Sequence, residues 1–173
     1  NYDIPFIGIE PAIKPAALYS KTKKIAILAT KGTLNSTLFE KTSSIINKDI
    51  QMQETIGKGL VELIEDGKLN SKEMTSLLSS YLKPMIANNM DSLVLGCTHY
   101  SYLIPQIKKI IGKKIQIIDS GEAVAKQTQV ILNKHHIANT YNNSQHIIYT
   151  NKDTAILQNL LSKCIPENLR ILK

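Results

Sequence analysis

The stretch Ile25-Ala26-Ile27-Leu28-Ala29-Thr30-Lys31-Gly32-Thr33 decides the fold class. Its first part is an unbroken apolar run of strand length, without the in-out alternation of a strand that has one wet face. Such a run is expected where a parallel sheet is covered by helices on both sides. Working outward, β-rich runs lie at 6–9, 24–29, 49–53, 92–95, 115–118, 146–149 and 169–172. Helical periodicity falls between them, at 11–20, 34–46, 57–65, 71–88, 102–111, 120–136 and 153–164. Alternation of this kind predicts an α/β fold, a mostly parallel sheet flanked by helices.

The clearest helix is 71–88. Met74, Leu77, Leu78, Tyr81, Leu82, Met85 and Ile86 recur at spacings of three and four, so they share one face. Ser71 fits the N-cap, and Pro84 inside the pattern predicts a kink or an early break. Thr150 with Asp153 resembles a capping box before the helix at 153–164. The Asn-rich stretch 138–144 reads as a domain-crossing linker or a surface excursion. Neither an internal repeat nor a low-complexity tract is visible.

Composition narrows the function class. The chain has 173 residues, 43% apolar and 20% charged, which suits one globular domain, or one domain plus part of another. No apolar run approaches the roughly 18 residues of a membrane span. Asn1-Tyr2-Asp3 lacks the pattern of a secretion signal and an initiator Met, so the chain reads as a piece of a longer protein. Cys97 and Cys164 form neither a disulfide framework nor a zinc-spaced cluster, which points to a reducing, cytoplasmic setting. The net charge of +7 is spread over pairs such as Lys23-Lys24, Lys108-Lys109 and Lys113-Lys114. That reads as a solvated surface, with a patch for an acidic partner as the alternative; neither a nucleic-acid nor a membrane partner is expected.

In an open α/β sheet, ligands bind beyond the carboxyl ends of the strands. Three such ends carry chemistry here: Thr30-Lys31-Gly32-Thr33, Gly96-Cys97-Thr98-His99-Tyr100 and Asp119-Ser120-Gly121. The first opens a helix, where Thr hydroxyls and backbone N–H groups attract a carboxylate or phosphate; its bland reading is a helix cap. Cys97 follows a buried strand and precedes a helix start, and His99 is two residues on. A helix N-terminus and an imidazole both favour the reactive thiolate. The bland reading of a cysteine is a small core residue, and Cys164, among Leu160, Leu161 and Ile165, is assigned to the core. His135, His136 and His146 read as surface or structural.

Leu93-Val94-Leu95-Gly96-Cys97-Thr98-His99-Tyr100 resembles the second cysteine motif of the bacterial glutamate racemases. Ile9-Glu10-Pro11-Ala12 is similar to that family's entry into its second domain, and Ala29-Thr30-Lys31-Gly32-Thr33 to its threonine-rich loop. Leu60-Val61-Glu62-Leu63-Ile64-Glu65-Asp66-Gly67 is similar to the stretch with its glutamate, for which Glu65 is the match and Glu62 a competitor. The resemblance weakens after about residue 139. It implies racemisation of L- and D-glutamate by two opposed cysteines, without pyridoxal phosphate, other cofactor or metal. On this reading Cys97 acts on L-glutamate, His99 and Glu65 assist it, and Thr30, Thr33 and Thr98 hold the substrate's carboxylate and amino groups. It implies that 8–120 is the second α/β domain. Residues 121–173 would pack on a first domain whose N-terminal part, with the other cysteine, is absent. Without it, Leu157, Leu160 and Leu161 should be exposed, and the tail should meet a neighbour, form a homodimer or be poorly ordered. Gly57-Lys58-Gly59 departs from the family's Cys-Pro pair. An aspartate or hydantoin racemase relative and a non-catalytic binding or assembly module are the alternatives.

Overall fold

The computed structural model describes residues 4–46, 48–139, 145–151, 153–161 and 169–173. Four strands, β1 (Lys24–Ala29), β2 (Gln51–Ile56), β3 (Ser92–Gly96) and β4 (Gln116–Ile118), form one sheet in the order β2-β1-β3-β4. Every pairing is parallel, and Ala29 lies beside Gly96 at the shared carboxyl end of β1 and β3. The chain runs from β1 outward to β2, then returns to β3 and runs outward the other way to β4. The crevice between β1 and β3 is therefore the point where the winding reverses, the usual ligand position in such sheets.

Helices cover both faces. Ile25, Ile27, Ala29 and Val94 pack with Ile13 and Ala16 of α1 (Ile13–Tyr19) and Phe39. Ala26, Leu28, Leu93 and Leu95 point the opposite way. They meet Leu60 and Ile64 of α4 (Leu60–Glu65), and Leu78 and Leu82 of α5 (Lys72–Ala87). Ile107 of α6 (Ile104–Ile111) joins that layer. This two-sided burial explains the unbroken apolar run in β1. Each fully buried aliphatic side chain contributes about 1.5–3 kcal/mol, so α5, with Met74, Leu78, Leu82 and Met85 all buried, is firmly held.

Ser71 caps α5 by accepting from Met74 N–H, and the helix continues past Pro84 to Ala87 without the expected break. Ile86 lies off the buried face. The helix expected at 34–46 is instead two, α2 (Lys31–Leu34) and α3 (Thr37–Ser44). Ser36 makes the division: its hydroxyl donates to Thr33 C=O and accepts from Phe39 N–H. The expected strand at 6–9 does not form; this segment is irregular, with Phe6 and Ile9 exposed and unpaired with any strand. Apolar character alone cannot make a strand without a partner edge. At the amino end of the sheet, Asp91 accepts from Ser20 Oγ and the N–H groups of Lys21 and Thr22. Burial acts to raise its pKa, but these donors outweigh it and hold the carboxyl below its ordinary value.

The C-terminal part is built differently. No described residue of α7 (Gly121–Lys134) is buried. Strands β5 (His146–Tyr149) and β6 (Leu169–Leu172) pair in parallel as a separate sheet, with α8 (Thr154–Leu161) between them in sequence. Asp153 caps the start of α8 by accepting from Ala155 N–H. Leu157, Leu160 and Leu161 are half-buried rather than exposed, and Leu160 packs on the main core. The exposed large apolar residues described in this part are instead Val130, Ile137, Ile147 and Tyr149. Cys164 and residues 140–144 lie outside the described residues.

Candidate active site

The carboxyl ends of β1, β3 and β4 border a cleft of about 340 Å³. Glu10, Thr33, Cys97, Thr98, Ser101, Asp119 and Ser120 contribute polar groups to its wall. Close packing fixes this edge: a side chain at Gly96 would start 2.6 Å from Ala29 Cβ. Ser120 is buried and donates to Glu10 C=O at 2.5 Å, which ties the segment before α1 to the rim.

Cys97 stands in extended conformation (φ −150°) directly before a 3₁₀ helix, Thr98–Leu103. It is half-buried, and its Sγ lies 3.9 Å from His99 Nδ1. The other ring nitrogen, Nε2, is 3.3 Å from Glu65 Oε1. A carboxylate facing Nε2 favours the tautomer with the proton there, which leaves the Nδ1 lone pair towards the sulfur. Glu65 comes from α4 and Cys97 and His99 from the turn after β3, so two separate elements build this row. Glu62, the competing match, is exposed.

Thr30 caps α2 by accepting from Thr33 N–H, and the two hydroxyl oxygens are 2.9 Å apart. Of this pair, Thr33 reaches the cleft. His99 and Glu65 line a neighbouring cavity of about 190 Å³, closed by Thr150, Asn151, Asp153, Ile156, Leu157 and Leu160. The expected residues therefore divide between the wall facing the cleft and a row standing behind it. The sequence places Asp119 at one of the three chemistry-bearing strand ends but assigns it no site role, and it does not single out Ser101. The Asp119 carboxylate accepts from Ser101 Oγ and from Gly121 N–H. Asp119 follows β4 directly, as the strand-end rule expects; Ser101 faces the cleft because the chain turns as a 3₁₀ helix.

The thiol corrects one expectation. Burial pushes the Cys97 pKa up from 9.0, and the backbone N–H groups of His99 and Tyr100, which pull it down, do not offset this. Burial therefore favours the neutral thiol over the thiolate. A raised folded-state value means that stability from this group is intact below the ordinary thiol pKa and declines as pH rises through the folded one. Iodoacetamide alkylation of Cys97, followed by mass spectrometry of its peptide, should still be accelerating at pH 9.0. A plateau below about pH 8 would contradict the burial argument.

The sequence model of the family described as Asp/Glu/Hydantoin racemase matches residues 1–128. The glutamate racemase of Ectopseudomonas mendocina (strain ymp) is 33% identical over 168 residues, covering 97% of this chain and 64% of that protein. That of Ralstonia pickettii (strain 12J) is 43% identical over 123 residues, covering 71% of this chain and 44% of that one. Among solved structures, Escherichia coli glutamate racemase in complex with L-glutamate and the activator UDP-MurNAc-ala superposes with a TM-score of 0.79 at 26% identity, covering 99% of this chain and 65% of that one. The chain thus spans under two thirds of the length of these relatives. Matched through its sheet, its strand-end loops and the Cys97 motif, the chain belongs to the Asp/Glu/hydantoin racemase family.

Proposed function

We propose that the whole protein containing this chain is a glutamate racemase that interconverts L- and D-glutamate by proton transfer between two opposed thiols. The observation that carries this reading is Cys97 at the winding-reversal cleft, with His99 against its sulfur and Glu65 behind His99. Cys97 is one of the two thiols. Residues 8–120 are the domain that carries it, and 121–173 belong with a first domain that supplies the other. The exposed Val130, Ile137 and Ile147 support that docking role.

In the proposed reaction the resting thiol must first become a base. Cys97 gives its proton to His99 Nδ1, and Glu65 holds the imidazolium that forms. The thiolate then takes the α-proton of L-glutamate, and the opposed thiol gives a proton to the other face. Charge that develops on the α-carboxylate needs donors; the Thr33 hydroxyl on the cleft wall, held by that of Thr30, would supply them. Thr98 on the cleft wall serves the amino group. The product would feed cell-wall peptidoglycan synthesis in the cytoplasm.

The full-length protein, given L-glutamate in D₂O without added cofactor or metal, should form D-glutamate with deuterium at the α-carbon. Chiral chromatography with mass detection reads both. The isolated 173-residue chain should produce none. D-glutamate that retains the original α-hydrogen would sink the proton-transfer mechanism.

A further inference from the structure

The row from sulfur to imidazole to carboxylate spans two elements, so something must set their separation. The His99–Glu65 pair is a weak candidate: its side chains are 36% and 39% exposed, and exposed ion pairs hold little. A second link is buried. Tyr100, adjacent to His99 and 0% exposed, donates its hydroxyl to Gly57 C=O at 3.0 Å, across 43 residues of sequence.

That bond closes a ring. Tyr100 N–H donates to Cys97 C=O at 3.0 Å, which sets the turn carrying the thiol. Gly57 lies just ahead of α4, and its C=O also accepts from Leu60 N–H, in the first turn of the helix that ends in Glu65. Gly57 N–H donates to Ala29 C=O at 2.9 Å, next to the capping Thr30. One buried hydroxyl is thereby joined to the three elements that carry Cys97, Glu65 and Thr30. The fit is close: a Cβ at residue 57 would lie 2.5 Å from the Tyr100 oxygen and 2.8 Å from Leu60 Cδ1. Glycine in the Gly57-Lys58-Gly59 departure from the family pattern is what lets the hydroxyl reach the main chain.

We propose that Tyr100, through its bond to Gly57, is a positioning residue that holds α4 against the Cys97 turn and keeps Glu65 on His99. This rests on the reading of Cys97 as a proton-transfer group. Tyr100 itself lies in the core behind the sulfur and does not line the cleft.

The test is a double-mutant cycle in the full-length protein, with steady-state racemisation as readout. Tyr100→Phe keeps the ring, and Gly57 C=O keeps its bond from Leu60, so the variant folds. It should lower kcat by about 10- to 100-fold with little change in KM, because a small displacement of the row damages chemistry more than binding. In a His99→Gln background, Tyr100→Phe should cost no more than about twofold further, since the row it positions is already broken. Gly57→Ala, which crowds the same bond from the other side, should give the same pattern. A Tyr100→Phe kcat within about twofold of the parent, or an equal loss with and without His99, overturns the positioning role. Neither result touches the assignment of Cys97, which stands or falls on its own substitution.

Discussion

Cys97→Ala in the full-length protein should abolish most racemisation, by on the order of 10²- to 10⁴-fold, in both directions. Both directions suffer because the same sulfur is the base for one enantiomer and the acid for the other. The fold should survive. Cys97 is only half-buried at the cleft wall, makes no capping bond and packs at the edge of the core rather than within it. Losing one sulfur there costs about 1 kcal/mol at most, on the scale of one buried methylene. Chiral chromatography measures the rate, and thermal unfolding measures the fold. A variant with near-parental turnover would remove Cys97 from the chemistry and, with it, the proposed function.

Gly96→Val is expected to be the second large effect, and it acts through packing. Gly96 is buried at the end of β3, in register with Ala29 of β1. Its Cβ position lies 2.6 Å from Ala29 Cβ and 3.4 Å from Pro11 Cγ, and none of these neighbours is the movable end of a long side chain. Overpacking of this kind costs about 1–3 kcal/mol. In a chain of this size that lowers Tm by roughly 2–4 °C per kcal/mol. The strands must also separate where the cleft begins, which moves Cys97 relative to Thr33. Activity should therefore fall further than the loss of folded protein explains. Parental stability together with parental activity would show that this edge is not fixed as described.

At the Cys97 thiol, local groups that favour the thiolate are opposed by burial. Backbone N–H groups do face Cys97 and an imidazole does stand beside it, as the sequence suggested. Desolvation by the core beneath is larger, and no local motif reports how much of the core lies behind a residue. A neutral resting thiol still fits the proposed chemistry. It needs a base before it can accept a proton, and the Nδ1 of His99 is at hand.

The apolar run of β1, the face of α5 and the Gly96-to-Tyr100 string were enough by themselves to determine a covered parallel sheet and a cysteine at a strand's carboxyl end. Those features depend on residue order within a few positions, where periodicity and capping act directly. Tertiary structure alone decided the rest. It left 6–9 without a strand partner and half-buried Leu157 and Leu160. It brought Glu65 rather than Glu62 to His99, and it joined Tyr100 to Gly57 across 43 residues. These outcomes rest on contacts between segments far apart in sequence, whose distances are set by strand order and packing and not by the identity of any one stretch.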